Sequence, residues 1–203
     1  MREYENFLKE HPYVDFTEPG IKDKAKELFF ELKSPVEKAK RAYEFVRDEI
    51  PHSFDIDADV ITAKASDVLA YKTGICHAKA NLLAALLRSA GIPAGFCFEH
   101  LTLLDDDSRG YCVHCFNAAY LDERWIFLDA RGNTKGISAQ FSQDNPVIAF
   151  PPRKEYDEYI WNGIYSKPQK LIMEMLDSAK NIDDVLNNLQ DFIEEEPDIS
   201  HTF

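Results

Sequence analysis

A cysteine, a histidine and an aspartate follow one another in this chain in an order that could support nucleophilic chemistry. Cys76 begins a nearly apolar helical stretch, His114 lies within a β-branched and aromatic run, and Asp129 ends a second such run. A thiolate can attack a carbonyl carbon, an imidazole can move the proton, and a carboxylate can fix the tautomer and orientation of that imidazole. Each residue alone fits a structural role, but the three in this order predict acyl transfer through a thioester.

The position of Cys76 favours the thiolate form. Gly74 interrupts the chain two residues earlier, and Gly91 followed by Pro93 is typical of the end of a helix. A thiol in the first turn of a helix lies at the positive end of the helix dipole and beside unsatisfied backbone N–H groups, and both lower its pKa. The competing interpretation is an unreactive core cysteine, because such thiols pack well as small apolar side chains.

His114 and Asp129 are predicted to meet across a β-hairpin. The runs 111–121 and 124–129 are separated by the polar pair Asp122-Glu123, which indicates a short turn. If the turn is centred on this pair, His114 faces residue 131, and Asp129 lies diagonally on the same face. Diagonal neighbours of this kind are about 7–8 Å apart, which lets a carboxylate reach an imidazole nitrogen.

The segments around these residues resemble the motifs of the transglutaminase-like superfamily. Thr73-Gly74-Ile75-Cys76 with the following residues 81–94 resembles its cysteine motif, which is the most specific part of the similarity. The strand around His114 resembles the histidine motif, residues 125–133 resemble the aspartate motif, and residues 42–50 resemble the helix that precedes the domain.

The resemblance covers roughly residues 36–150 and is greatest to the short, stand-alone bacterial members of that superfamily. It implies a papain-like fold with a catalytic triad of Cys76, His114 and Asp129. It implies no particular substrate, since the superfamily contains proteases, amidases and cross-linking enzymes. No Trp or Gln precedes Cys76 that could serve as a side-chain oxyanion donor, so the backbone N–H of Cys76 is the expected donor.

The predicted fold class is α+β. A central helix bearing Cys76 packs against an antiparallel sheet bearing His114 and Asp129, with flanking helices at both ends. We expect a single globular unit with three parts: a helical extension at 1–35, a transglutaminase-like core at 36–152, and a helical extension with an acidic tail at 153–203.

The remaining elements are predicted from periodicity, caps and breakers. Helices are expected at 22–32, at 35–48 with Ser34 as N-cap, from Ser66-Asp67 to Lys72, at 168–178 and at 182–193, and a strand is expected at 94–104 with an acidic turn at 105–110. Residues 51–59 are expected to form a loop, residues 132–152 a surface loop rather than a lid, and the acidic tail at 194–196 to be frayed.

Composition and charge limit the partners. The chain has 23 basic and 36 acidic residues, a net charge of −13, and no basic run longer than a pair. Nucleic acid and anionic membranes are therefore poor partners. The first residues contain no apolar segment typical of a signal peptide, and no apolar run approaches 18 residues, so a cytoplasmic location is expected. The sequence does not specify an oligomeric state.

A Cys-x-x-Cys pattern around His114 offers a competing zinc or redox site. Cys112 and Cys115 flank the histidine, but strand alternation places Cys112 and His114 on one face and Cys115 on the other. A second ligand pair is missing unless Cys97 and His100 supply it. We therefore expect no metal and no cofactor, and Cys97, Cys112 and Cys115 as core or cleft-wall thiols.

The predicted function is that of a thiol enzyme acting on a peptide or small amide. Hydrolysis is preferred over acyl transfer to an amine, because no segment clearly builds a deep aromatic-walled tunnel for the amine. Protein cross-linking and small-molecule acyl transfer remain alternatives. Arylamine N-acetyltransferases use the same residue order, but the Arg-Gly-Gly run before their cysteine is absent here. A catalytically silent binding module that keeps the three residues is the remaining alternative.

Overall fold

A computed structural model describes residues 4–103, 109–134 and 136–202 of the chain. The predicted end of the first strand at Leu104 and most of the predicted acidic turn, residues 105–108, lie outside the described residues. No helix within the described ranges is long and apolar enough to cross a membrane.

Helices surround one antiparallel sheet, which confirms the α+β fold class. The helices are α1 (Pro19–Leu28), α2 (Pro35–Glu49), α3 (Ser53–Ile56), α4 (Ala65–Tyr71), α5 (Cys76–Ser89), α6 (Lys170–Ser178) and α7 (Ile182–Asn187), with 3-10 turns at Glu5–Leu8 and Lys154–Tyr156. The strands are β1 (Ala94–Thr102), β2 (Tyr111–Leu121), β3 (Arg124–Leu128) and β4 (Tyr159–Ile160). They pair antiparallel in the order β3-β2-β1-β4.

Helix α5 is the buried centre of the molecule, and Cys76 is its first residue. All of its residues from His77 to Arg88 are buried, which explains why its sequence is apolar on every face. Its polar side chains bond to backbone carbonyls of neighbouring segments. Asn81 donates to Ala63 at 2.8 Å, and Arg88 donates to the carbonyls of Ala94, Lys9 and Ser166. These bonds fix the axis that carries the cysteine.

The β2–β3 hairpin has the predicted register. Its pairs run from Leu121 opposite Arg124 to Asn117 opposite Leu128, so the turn is centred between Asp122 and Glu123. These two residues have φ angles of 48° and 63°, as a two-residue turn that matches the twist of the strands requires. The predicted start of α2 is also confirmed, because Ser34 and Glu37 form a reciprocal capping box.

Three local predictions in the first half of the chain are wrong. Helix α1 begins at Pro19 and ends at Leu28 rather than spanning 22–32, because proline suits a first helical position. The segment expected as a loop at 51–59 contains the one-turn helix α3. Ser66 does not cap α4, since Lys64 is the N-cap and the Ser66 hydroxyl bonds to Asp15 at 2.5 Å.

The C-terminal segment pairs with the sheet instead of fraying. Helix α7 ends at Asn187, short of the predicted Ile193, and the carbonyl of Gln190 accepts the N–H of Val113 in β2 at 2.8 Å. Further along, the N–H of Ile164 donates to Ile199 at 2.9 Å. The acidic tail is also held by a contact with helix α6, because the Glu195 carboxylate accepts a hydrogen bond from the N–H of Lys170 at 2.7 Å.

Candidate active site

The structure brings Cys76, His114 and Asp129 together at one end of helix α5. His114 Nε2 lies 3.0 Å from Asp129 Oδ2, and both side chains are buried. The Cys76 thiol lies close enough to the His114 side chain for each group to shift the pKa of the other. Because Asp129 occupies Nε2, the ring nitrogen on the cysteine side is Nδ1. The helix start, strand β2 and the residue after β3 thus each contribute one group.

The Asp129 carboxylate accepts three hydrogen bonds. Besides His114, the N–H of Ala149 donates to Oδ2 at 2.8 Å and the N–H of Arg131 donates to Oδ1 at 3.1 Å. Burial raises the pKa of Asp129, but the positive charge of His114 and these hydrogen bonds lower it by more. The net pKa therefore lies below its ordinary value. The group is therefore an ionised acceptor whose two oxygens are both hydrogen-bonded.

The electrostatics of the Cys76–His114 pair favour the thiolate–imidazolium form. Burial raises the pKa of Cys76, but the His114 charge, its hydrogen bond and the backbone N–H of Cys115 lower it, and the net pKa is below its ordinary value. Burial lowers the pKa of His114, whereas the charges of Asp129 and Cys76 raise it well above its ordinary value. Opposite shifts of this kind are expected of two groups that share a proton.

A cleft of about 500 Å³ opens beside Cys76. Its wall is mostly apolar: Phe54, Ile75, Leu101, Leu103, Val113, Ile137, Ala149, Phe150, Pro151 and Leu189 line it. Phe150 meets the His114 ring edge-on, with centroids 5.2 Å apart. The 149–151 end of the segment expected as a surface loop therefore lines the cleft beside the imidazole.

Charged side chains on the cleft wall are paired with one another. Arg131 donates to both oxygens of Asp55, at 2.6 and 3.1 Å. Across the cleft, Arg153 donates to Glu158 Oε1 at 2.6 Å, and this bond lowers the pKa of Glu158 to about 2. Paired charges of opposite sign leave the wall without a strong preference for a charged ligand.

His52 is a cleft residue that sequence reasoning missed. The backbone N–H of Cys76, expected as an oxyanion donor, donates a hydrogen bond to Nε2 of His52, with the two nitrogens 3.0 Å apart. His52 is buried, and burial together with the charge of Arg131 lowers its pKa well below the ordinary value. His52 lies in the segment expected as a loop. An isolated β-bridge between His52 and Gly74 holds it beside the start of helix α5. No periodic pattern in the sequence signals such a bridge.

Lys79 lies one turn beyond Cys76 and holds the backbone around the site. Its ammonium group donates to the carbonyl of Ile50, at the end of α2, and to the carbonyl of Arg131 at 3.1 Å. Burial lowers its pKa to about 7. The lysine thereby ties the residues that follow Asp129 to the helix that carries the cysteine.

Glu99 faces His114 directly across β1 and β2. The side chain is fully buried, and neither of its oxygens has a hydrogen-bond partner within the described ranges. Burial raises its pKa to about 8, against the opposing effect of the His114 charge. The carboxyl group is therefore mostly protonated at neutral pH.

We expect Glu99→Gln to stabilise the protein increasingly as the pH rises from 5 to 8. The folded-state pKa of Glu99 is raised to about 8, so the wild type loses stability as pH climbs from the unfolded value of about 4.3 toward that pKa. Glutamine does not ionise, and the variant avoids this loss, which amounts to about 2–5 kcal/mol at pH 8. Urea unfolding at several pH values measures the difference.

The matched control for this experiment is Glu158→Gln. The pKa of Glu158 is lowered, so the wild-type carboxylate contributes stability above the unfolded pKa and loses it as the pH falls through the folded one. This variant should therefore be less stable than the wild type at pH 5–8. A Glu99→Gln difference that stays constant across the pH range would contradict a buried, proton-holding carboxyl group.

The other three cysteines occupy the expected positions. Cys97 and Cys115 are buried, and burial raises the pKa of both thiols, whereas Cys112 lines the cleft. Cys115 packs in the core that includes α5, on the opposite side of β2 from His114. Among the described residues, no cluster of three or more His, Cys, Asp or Glu side chains is arranged to hold a metal ion.

The sequence matches the transglutaminase-like superfamily over residues 22–130. Since this match covers more than half of the chain, the protein belongs to that superfamily. Among curated protein sequences, none gives a significant match.

Two solved structures are similar to this chain. A suggested cysteine protease from Cytophaga hutchinsonii has 20% sequence identity and a TM-score of 0.53, over 64% of this chain and 43% of its own. A suggested protease from Parabacteroides distasonis has 18% identity and a TM-score of 0.43, over 74% of this chain and 30% of its own. This chain thus spans less than half the length of either structure. The first similarity supports the fold described above.

Proposed function

We propose that this protein is a thiol enzyme that cleaves an amide or peptide bond through a thioester at Cys76 and passes the acyl group to water. The observation that carries the proposal is the continuous contact from Cys76 through His114 to Asp129 at the edge of an apolar cleft. His114 is the proton carrier, and Asp129 is the carboxylate that orients it.

The proposed reaction has two half-reactions. The Cys76 thiolate attacks the carbonyl carbon, and the imidazolium of His114 gives its proton to the nitrogen of the leaving amine as the C–N bond breaks. The neutral imidazole then takes a proton from water, whose oxygen attacks the thioester. Collapse of this second intermediate releases the carboxylic acid and returns the proton to the Cys76–His114 pair.

The cleft supports a neutral amide or peptide as the substrate. Its wall is mostly apolar, and its charged side chains form the ion pairs Arg131–Asp55 and Arg153–Glu158. A charged group that took one partner of the Arg131–Asp55 pair would leave the other, nearly buried ion without its counter-charge, which is unfavourable. The similarity to a suggested cysteine protease points in the same direction.

Acyl transfer to an amine is the alternative second half-reaction, and the cleft favours water. Cross-linking requires a pocket that excludes water while it admits an amine. Phe54 and Phe150 are the aromatic side chains, other than histidines, among the described residues that line the cleft. They do not form the aromatic-walled tunnel that such a pocket needs.

We expect hydrolysis to exceed amine incorporation when the protein meets glutamine-containing peptides and a labelled primary amine. Released ammonia, new peptide ends and incorporated label are measured together, and the acyl-enzyme is trapped by acid quench and mass spectrometry. Cys76→Ser is the control, and it should remove all three products.

Two results would change the proposal. Amine incorporation faster than hydrolysis would replace the hydrolase with an acyltransferase while keeping the thioester. Failure of a broad panel of peptides, amides and activated esters to acylate Cys76 would instead favour the catalytically silent binding module.

A further inference from the structure

Lys79 is a buried cation on helix α5, one turn after Cys76. Only 1% of its surface is exposed, and its ammonium group donates to the backbone carbonyls of Ile50 and Arg131. Ile50 is the C-cap of helix α2, where unpaired carbonyls attract a positive charge. Arg131 lies two residues after Asp129. The lysine therefore joins three segments: the helix of the nucleophile, the end of α2 and the turn that follows the carboxylate.

A cation at this buried position is unfavourable for stability. Burial and the charge of Arg131 lower the pKa of Lys79 to about 7. Nearby carboxylates offset this shift only in part; they belong to Asp48, Asp55 and Asp129. An uncharged side chain of similar length, such as methionine, would be buried here without that penalty. The two carbonyl contacts are what a lysine supplies and a methionine does not.

The chain turns sharply at Gly132, three residues after Asp129. Gly132 has a φ angle of 112°, which glycine adopts without strain, and a Cβ on this residue would lie 3.8 Å from Lys79 Nζ. The carbonyl of Arg131 accepts from the lysine at 3.1 Å, and the N–H of the same residue donates to Asp129 Oδ1 at 3.1 Å. The backbone of Arg131 is thus held on both sides, by Lys79 and by the carboxylate.

The contact with Arg131 bears on how the carboxylate meets the imidazole. Asp129 Oδ1 accepts the N–H of Arg131, while Oδ2 lies 3.0 Å from His114 Nε2. The two oxygens belong to one planar group, so a displacement of the Arg131 backbone rotates Oδ2 relative to the ring. A misplacement of about 1 Å can lower a reaction rate by about 100-fold. The hold on Arg131 is therefore a hold on the His114–Asp129 bond.

We propose that Lys79 is a positioning residue, which keeps Asp129 facing His114 through the backbone of Arg131. The inference rests on the proposed thioester chemistry, in which the aspartate orients the imidazole. Lys79 is not among the described residues that line the cleft, so it acts through the carboxylate rather than on the substrate.

The variant Lys79→Met removes the donor and keeps the length of the side chain. We expect turnover of p-nitrophenyl acetate to fall about 10- to 100-fold, because His114 must take a proton from water in the second half-reaction. Nitrogen-15 and proton spectra of labelled histidine report the His114–Asp129 bond without any substrate. The signals of His114 Nε2 and its proton, which are assigned by their absence in His114→Gln, should move toward those of Asp129→Ala.

Arg88→Met is the matched control, because Arg88 is also a buried cation of α5 that donates to backbone carbonyls. It lies at the opposite end of the helix from Cys76. We expect this variant to lose stability in urea unfolding but to keep the wild-type His114 signals and the wild-type rate per folded molecule. If the control shifts the signals as much as Lys79→Met, the effect is a general loosening of α5 and the inference is overturned.

Gly132→Ala tests the same contact from the opposite side. Alanine is strained at a φ angle of 112°, so the turn must shift while the buried lysine is unchanged. If both residues act through the Arg131 carbonyl, the double variant Lys79→Met/Gly132→Ala should lose less activity than the product of the two single losses. A loss equal to that product would mean that they act separately, which overturns the inference.

The spectra separate this inference from the proposed function. Unchanged His114 signals in Lys79→Met overturn the inference, whatever the activity. A wild type that turns over no ester or amide, but whose signals move in Lys79→Met, refutes the thioester enzyme and leaves Lys79 as the residue that positions Asp129.

Discussion

Iodoacetamide in stoichiometric amount at pH 6 is expected to alkylate Cys76 ahead of Cys97, Cys112 and Cys115. An ordinary thiol is only about 0.3% ionised at that pH. Burial raises the pKa of Cys76, but the charge of His114 brings it below its ordinary value, whereas burial raises the pKa of Cys97 and Cys115. Peptide mapping after a short reaction identifies the labelled residue.

The pH dependence of the alkylation rate is a stronger test of the Cys76–His114 ion pair than the rate at a single pH. A thiolate of lowered pKa is also a weaker nucleophile, so the advantage at pH 6 should be about 10- to 30-fold rather than the full gain in ionisation. We expect the wild-type rate to rise less steeply between pH 5 and 8 than that of an ordinary thiol, because the pKa of Cys76 is lowered. In His114→Ala the rate should rise about tenfold per pH unit, as for an ordinary thiol.

Cys112→Ser is the matched control for this labelling, because Cys112 also lines the cleft. Its alkylation profile should equal that of the wild type. Label found mainly on Cys97, Cys112 or Cys115, or a wild-type rate that climbs with pH as steeply as in His114→Ala, would mean that Cys76 is not an activated nucleophile.

Asp129→Ala should lower turnover of a peptide p-nitroanilide about 1,000- to 10,000-fold while changing KM little. In the proposed mechanism the carboxylate acts on His114 in the transition state and does not bind the substrate before reaction. The best p-nitroanilide from a short panel of peptides serves as the probe, and kcat and KM are measured separately.

Asparagine is not a neutral replacement at this position. All three partners of Asp129, namely His114 and the backbone N–H groups of Ala149 and Arg131, are donors. An amide NH2 group must therefore face at least one of them, which costs about 1–3 kcal/mol. We expect Asp129→Asn to lose both turnover and stability, and urea unfolding separates the two effects.

Asn117 and Asn133 are the residues to compare with Asp129. Asn117 donates to the carbonyls of Ala80 and Gly95, and Asn133 is bonded to Ala139. Replacing either by alanine should leave the rate constant per folded molecule close to that of the wild type. If one of these variants loses as much turnover as Asp129→Ala, the third member of the triad lies there instead.

The parts of the fold that sequence predicts well are those set by neighbouring residues. The hairpin follows from two alternating runs and a two-residue polar turn, and its centre determines which residues oppose His114. The start of helix α5 at Cys76 follows from Gly74, and its end follows from Gly91 and Pro93. Residues close in the chain thus determine where the three side chains lie.

The features that sequence reasoning missed depend on contacts between distant segments. His52 meets Cys76 across 24 positions of the chain, and Arg131 meets Asp55 across 76. Each of these contacts involves single residues, so it leaves no periodic pattern that a sequence could show. Glu99 is a similar case, because a glutamate in an apolar strand gives no sign that both of its oxygens are buried with no hydrogen-bond partner among the residues that the structure describes.

The bond between Val113 and Gln190 sets an order of events during synthesis of the chain. At about 5–20 residues per second, the ribosome needs roughly 4–15 s to add the roughly 75 residues between these two. Throughout that interval, the strand that carries His114 is on the nascent chain without this backbone partner. Completion of the cleft, which Leu189 also lines, therefore follows synthesis of the strand that carries His114 by at least this interval.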